Sequence, residues 1–261
     1  EKSQDDFSCL KRGYEGVGAY YDLFADNSDI PFYIRMAKAI GSPILELAAG
    51  TARVSLALAQ EGFEVSALEK SPSMLAAARS KLKDAPQDVS NRITVIEGDM
   101  EQFELGQQYA LIIIPNSFGH ALTKNAQLSV LGCVQKHLRD DGVFILDLYI
   151  GEMLYSHAAF EDPLKQLGDG TTVERQGEIH TDTEHHLMKM DIRYTKRNAQ
   201  GLIQDIVEVT SGAALILEDE IAHLLHQTNL DVIEEFGGFD SSPFSSDSSR
   251  RIMLLRKVER R

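Results

Sequence analysis

The chain has 261 residues, 43% hydrophobic and 25% charged, which suits a globular protein with a full apolar core, either one large domain or one domain carrying an insertion. Its net charge of −14 argues against a nucleic-acid partner, because phosphates are bound through Lys and Arg that displace counterions, and the pairs Arg250-Arg251 and Arg260-Arg261 are short. Two cysteines, Cys9 and Cys133, make neither a disulfide framework nor a cysteine-rich zinc site, and no apolar run approaches the roughly 20 residues of a membrane span. With a polar opening segment, EKSQDDFSCLKRG, the expectation is a cytoplasmic protein.

Residues 1–42 read as a helical cap carrying Tyr14, Tyr20, Tyr21 and Tyr33, with Pro31 in the first turn of a helix capped at Ser28 or Asp29. PILELAAG then reads as a buried strand feeding a tight turn, and TARVSLALAQEG as a helix closed by Gly62. FEVSALE is a strand, and SPSMLAAARSKLK a helix with Ser71 as its cap. RITVIEGDM and YALIIIPNS are strands, AQLSVLGCVQKHL a helix, and DDGVFILDLY a turn followed by a strand. Strand and helix alternate, and the strands are continuous apolar runs, the pattern of parallel strands covered on both faces. Residues 43–150 are therefore expected to form a doubly wound, Rossmann-like α/β core.

The character changes over 151–212. VERQGEIHT, HHLMKMDIRYTK and LIQDIVEVTSG read as consecutive strands, the last two joined at NAQG, which implies an inserted antiparallel β-sheet. Residues 213–261 supply a last helix, EDEIAHLLHQTN, and two closing strands. His180, His185 and His186 raise the question of a metal. The adjacent pair is placed in a strand, where neighbouring side chains point to opposite faces, so no required metal is expected.

The turn ELAAGTAR carries the strongest chemical signal. A strand ends, the chain turns on Gly50, and a helix begins with its backbone N–H groups outward, a ready site for an anionic ligand group. Glu69 ends the next strand, where such folds hydrogen-bond a ribose diol. Ala48 and Ala52 stand where glycine is usual. Asp99 follows the third strand, where a carboxylate can accept the adenine amino group, and Pro115, Asn116 and Ser117 follow the fourth. Four strand ends thus converge polar groups on one crevice, where open α/β sheets bind ligands.

These residues resemble the class I S-adenosylmethionine-dependent methyltransferases. ILELAAGTARVSLALA looks like that family's first motif, LEKSPSMLAAA its second, EGDM its third, and DDGVFILDLY the turn and strand closing the parallel part of the sheet. PNSFGHAL is similar to a segment of glycine N-methyltransferase, and the layout with a sheet inserted after the fifth strand resembles bacterial sugar N,N-dimethyltransferases. The resemblance implies a seven-stranded sheet with its last strand antiparallel. It also implies S-adenosyl-L-methionine bound through Glu46, Ala48, Gly50, Arg53, Glu69, Lys70, Met74, Asp99, Met100, Pro115 and Asn116, with Tyr21 and Tyr33 reaching over it from the N-terminal helices. No clear counterpart is seen of the arginine that binds the glycine carboxylate in glycine N-methyltransferase.

His120, just past the fourth strand, is the candidate base or orienting residue, with Tyr14 and Tyr149 placed beside the acceptor. A tyrosine face can attract a sulfonium as it does an ammonium. The expected activity is transfer of a methyl group to nitrogen or oxygen of a small molecule, with the inserted sheet serving as a lid or a homodimer interface. Two other readings stay open: a cofactor-binding protein without catalysis, and a nicotinamide-dependent oxidoreductase sharing the first turn.

Overall fold

The computed structural model describes residues 10, 13–150 and 157–258; Cys9, Arg260 and Arg261 lie outside them. In chain order the core runs α1 (Ile30–Ile40), β1 (Ile44–Leu47), α2 (Arg53–Gln60), β2 (Val65–Glu69), α3 (Pro72–Asp84), the single turn α4 (Gln87–Ser90), β3 (Ile93–Glu97), β4 (Tyr109–Ile114), α5 (Lys124–His137) and β5 (Leu138–Tyr149). There follow β6 (His157–Glu161), β7 (Lys165–Gln166), β8 (Thr172–Asp182), β9 (Leu187–Arg197) and β10 (Ile203–Ala214). The chain then returns through α6 (Glu218–His226), β11 (Leu230–Phe236) and β12 (Arg250–Lys257).

β1 and β4 are buried at every position, which requires cover on both faces. Alternate side chains divide that cover. Leu45, Leu47, Ile112, Ile114, Phe144 and Leu146 pack with residues of α5 and α6. Ile44, Leu111, Ile113, Val143 and Ile145 pack with residues of α1 and α2. The sheet order is β11-β12-β5-β4-β1-β2-β3, parallel from β5 to β3, with β12 antiparallel to both of its neighbours. This is the expected doubly wound seven-stranded sheet. Its strand order reverses at β1, whose neighbours β2 and β4 are reached by crossovers on opposite sides.

The second sheet is wholly antiparallel, in the order β10-β9-β8-β6, with β7 paired to β8. Val173, Ile192, Tyr194 and Val209 on one face bury against Val17, Tyr20 and Met74, so the N-terminal segment is wedged between the two sheets. Among the described residues no helix is long and apolar enough to cross a membrane.

Two local expectations differ from what is observed. Residues 13–29 are turns with one 3-10 turn, Tyr21–Leu23, rather than helices. Gly13 and Gly16 have φ of +76° and +95°, and a Cβ on Gly18 would lie 2.2 Å from the Ser73 carbonyl oxygen. Glycines used this way disfavour a helix, and here they permit close backbone approach. His185 and His186 sit in the turn between β8 and β9, not in a strand. The Asp182 carboxylate accepts the backbone N–H groups of Glu184 and His185, both at 3.0 Å, and this local bonding sets the turn.

Phe144 is fully buried between β4, β12 and the helices above them, so Phe144→Ala should lower the unfolding free energy by about 3–5 kcal/mol. Leu202→Ala, at a position 66% exposed, should change it by less than about 0.5 kcal/mol, both read from urea denaturation.

Candidate functional site

Beyond the C-terminal ends of the parallel strands, at the reversal of strand order, lies a cavity of about 270 Å³. The β1 turn contributes Ala48, Gly50 and Arg53 to its lining, and the end of β2 contributes Glu69, Lys70, Ser71 and Met74. Gly98, Asp99, Met100 and Glu101 come from the end of β3, and Pro115, Asn116, Ser117 and His120 from the end of β4. Tyr14, Tyr21, Asp26, Ser28 and Asp29 close it from the N-terminal side, with Asp147, Phe239 and Arg250 on the remaining wall. A wider depression of about 1060 Å³ lies along the inserted sheet and adjoins the first at Gly13.

The β1 turn is left-handed at three alternate positions, Ala48, Gly50 and Ala52, with φ of +51°, +57° and +57°. Alanine tolerates that conformation at a cost of about 1 kcal/mol each, so the two alanines are strained but not excluded. Nothing lies within 4 Å of where a Cβ on Gly50 would project, and that open space adjoins the cavity. Glu69 holds the turn from the side: its Oε2 accepts the Gly50 N–H at 2.8 Å, while Oε1 accepts the N–H groups of Lys70 at 2.9 Å and Ser71 at 2.7 Å. A carboxylate offers about four acceptor positions, so one remains for a ligand hydroxyl.

Lys70 and Asp99 meet each other across the ends of β2 and β3, Nζ to Oδ2 at 2.9 Å. Asp99 Oδ1 accepts the Glu101 N–H at 3.0 Å, so its carboxylate is oriented from both sides. Met74 and Met100 are nearly buried and supply apolar surface at the same end. Arg53 is clamped by Asp29 through two bonds of 2.6 Å, which explains why Asp29 makes no cap bond to α1.

His120 follows β4 in a 3-10 turn, Phe118–His120. Its Nδ1 lies 3.0 Å from the Gly212 carbonyl oxygen on β10. A carbonyl only accepts, so Nδ1 carries the proton and Nε2 of the neutral ring is left as an acceptor. Burial pushes the His120 pKa below the usual histidine range, with the Gly212 carbonyl partly opposing it. The Tyr14 ring meets His120 edge-on at 5.6 Å and Tyr21 at 5.9 Å, so all three gather at one end of the cavity.

Three residues singled out from sequence are not part of this lining. Tyr33 is fully buried and donates to Asp147 Oδ2 at 3.3 Å. Glu46 lies beneath the β1 turn and accepts from the Ser55 hydroxyl of α2. Tyr149 is 41% exposed, its ring 5.3 Å from the Arg250 guanidinium. Sequence reasoning missed the pair of Asp147 and Arg250, whose Nη1 and Oδ1 lie 2.6 Å apart. Asp147 also accepts the Asn116 N–H at 3.2 Å, and so steadies the β4 turn. Burial drives the Asp147 carboxyl upward, while Arg250, the Asn116 N–H and Tyr33 draw it back. The available signal was a lone acid inside the apolar run VFILDLY.

Residues 44–142 match the family model described as a methyltransferase domain. The dTDP-3-amino-3,4,6-trideoxy-alpha-D-glucopyranose N,N-dimethyltransferase of Streptomyces venezuelae is 26% identical over 181 residues, 69% of this chain and 71% of that protein. The glycine/sarcosine/dimethylglycine N-methyltransferase of Actinopolyspora halophila is 30% identical over 146 residues, 51% of this chain but 25% of its own length. These curated relatives are thus spanned only in part. Among solved structures, the CcbJ methyltransferase from Streptomyces caelestis shares the fold with a TM-score of 0.80 at 19% identity, over 93% of this chain and 96% of that one.

Glu46 gives the site's foundation a pH signature. Burial raises its pKa from 4.5 to about 7, against the opposing pull of Ser55 and Arg53. Between those values the folded chain keeps a proton that the unfolded chain releases, so this group's stabilising contribution is full below about pH 4.5 and declines until about pH 7. Glu46→Gln should remove that decline, on the order of 3 kcal/mol, in denaturation midpoints compared across the same window.

Proposed function

We propose that this chain, whose residues 44–142 match a methyltransferase domain, moves the methyl group of S-adenosylmethionine to a nitrogen of a small-molecule acceptor. The observation that carries this is the convergence of the Gly50 turn, Glu69, Asp99 and the His120 ring on one cavity at the reversal of strand order. The names of the matched relatives favour nitrogen over oxygen as the acceptor atom.

The cavity suits the donor part by part. Open space above Gly50 leaves room for the methionine portion, and the free acceptor capacity of Glu69 suits the ribose hydroxyls. Asp99 faces the adenine amino group between the apolar walls of Met74 and Met100. Arg53 and Lys70 act at the rim, and Ala48 and Pro115 keep the walls small. S-adenosylmethionine supplies a methyl carbon made electrophilic by its sulfonium sulfur. The Tyr14 and Tyr21 rings stand at the end where that positive charge lies and attract it.

At the reacting centre the acceptor nitrogen forms a bond to the methyl carbon as the carbon–sulfur bond breaks, and sulfur keeps the electron pair. The surplus N–H proton passes to His120 Nε2, left open by the Gly212 carbonyl. Asn116, fixed through its N–H to Asp147, lies beside the transferred group. Tyr33 and Glu46 act from below as positioning residues, and Tyr149 through Arg250. In the same reading the exposed Ile203 and Ile206 on the edge strand β10 mark the seam of a homodimer.

S-adenosylhomocysteine should bind in calorimetry, and Glu69→Ala should weaken it by about 10- to 150-fold through loss of a hydrogen bond worth about 1.5–3 kcal/mol. No binding by the parent protein would refute the assignment. Labelled-methyl transfer to a panel of small amines should fall by about 10²- to 10⁴-fold in His120→Ala. The parent's activity should drop only below the ordinary histidine range, as acid protonates the depressed His120, and that acid limb should vanish in the variant.

A further inference from the structure

The histidines that converge are not the adjacent pair. His157 on β6 and His180 on β8 are cross-strand partners with rings 4.7 Å apart, and Glu178, two positions before His180, projects from the same face. Glu178 Oε2 lies 3.5 Å from His157 Nε2 and 3.3 Å from His180 Nε2. One ligand atom from each of the three residues falls within 4.8 Å of the other two.

A tetrahedral zinc ion with nitrogen and oxygen ligands at about 2.0–2.1 Å sets its ligand atoms about 3.4 Å apart along each edge. Both measured spacings fall at that edge length. Two imidazoles and one carboxylate also form a donor set suited to zinc, with a fourth position left for water. Lys189, the cross-strand partner of His180 on β9, has its ammonium 3.1 Å from Asp191, so its charge is compensated beside the cluster.

We propose that His157, Glu178 and His180 bind a zinc ion that clasps β6 to β8. Among the described residues β6 is an edge strand paired only with β8, and an ion held from both strands adds a cross-link that the hydrogen-bond ladder lacks. The site is separate from the cavity at the strand ends, and the inference does not rest on the methyl-transfer reading.

Tag-free protein stripped with chelator, at about pH 7.5 where free imidazoles are neutral, would be titrated with ZnCl2 in calorimetry and with CoCl2 in visible absorption. One equivalent should bind, and cobalt should show the intense bands of four-coordination rather than the weak ones of six. Zinc should raise the melting temperature. His157→Ala and His180→Ala should each weaken binding at least tenfold and abolish the thermal shift, and Glu178→Gln should weaken it less. The side chains of His157 and Glu178 are 52% and 58% exposed, so circular dichroism should show the His157 and Glu178 variants folded, and they test the site even if His180→Ala, with that side chain 18% exposed, loses stability. Absence of binding in the parent, a six-coordinate cobalt spectrum, or unchanged binding in the double histidine variant would overturn the proposal. Loss of the ion on replacing His185 and His186 instead would do the same.

Discussion

A strand buried on both faces must end somewhere, and its last backbone groups must find partners. β1 ends in a turn with left-handed residues at Ala48, Gly50 and Ala52 before α2 starts, and that geometry turns the Gly50 N–H toward the end of the neighbouring strand. Glu69 answers this from the neighbouring strand by accepting the Gly50 N–H together with those of Lys70 and Ser71. One carboxylate therefore joins the ends of two parallel strands and the beginning of α3. Two further parts of the site are placed relative to this junction: Asp99 through Lys70, and the N-terminal segment through the start of α3.

That N-terminal segment is held by polar bonds more than by helix formation. The Gly16 N–H donates to the Ser73 hydroxyl at 2.7 Å, and the Glu15 carboxylate accepts from Ser71 and Ser73 at the positive end of α3. Further along, Asp22 accepts from the Thr51 hydroxyl at 2.6 Å and from the Lys81 ammonium at 2.7 Å. Tyr14, just before the first tie, and Tyr21, just before the second, lie at the cavity, with Val17 and Tyr20 between the ties against the inserted sheet. The same short stretch thus roofs the cavity and floors the second sheet.

What the sequence revealed follows from the range of each interaction. The parallel strands were legible because burial on both faces leaves unbroken apolar runs, and the Gly50 turn and Glu69 because a fixed local geometry separates them by one βαβ unit. The Asp147–Arg250 pair was not, since its members stand 103 positions apart and meet only because β12 inserts beside β5. Tyr33 was expected over the ligand, yet tyrosines on a helix do not announce which turn faces inward, and this one reaches through the core to Asp147. The adjacent histidines were misplaced for another reason: β-propensity on either side of them masked the turn set by Asp182. His157, whose cross-strand partner lies 23 positions later, carried no local sign of that neighbour.

The bond from His120 to the Gly212 carbonyl spans 92 positions and joins the parallel core to the inserted sheet. An imidazole whose tautomer is dictated by a backbone oxygen on another layer senses where that layer stands. If β10 drew back, Nδ1 would lose its acceptor, the ring would become free to rotate, and water would reach both nitrogens. One contact thus ties the facing of a ring on the parallel core to the seating of the second sheet.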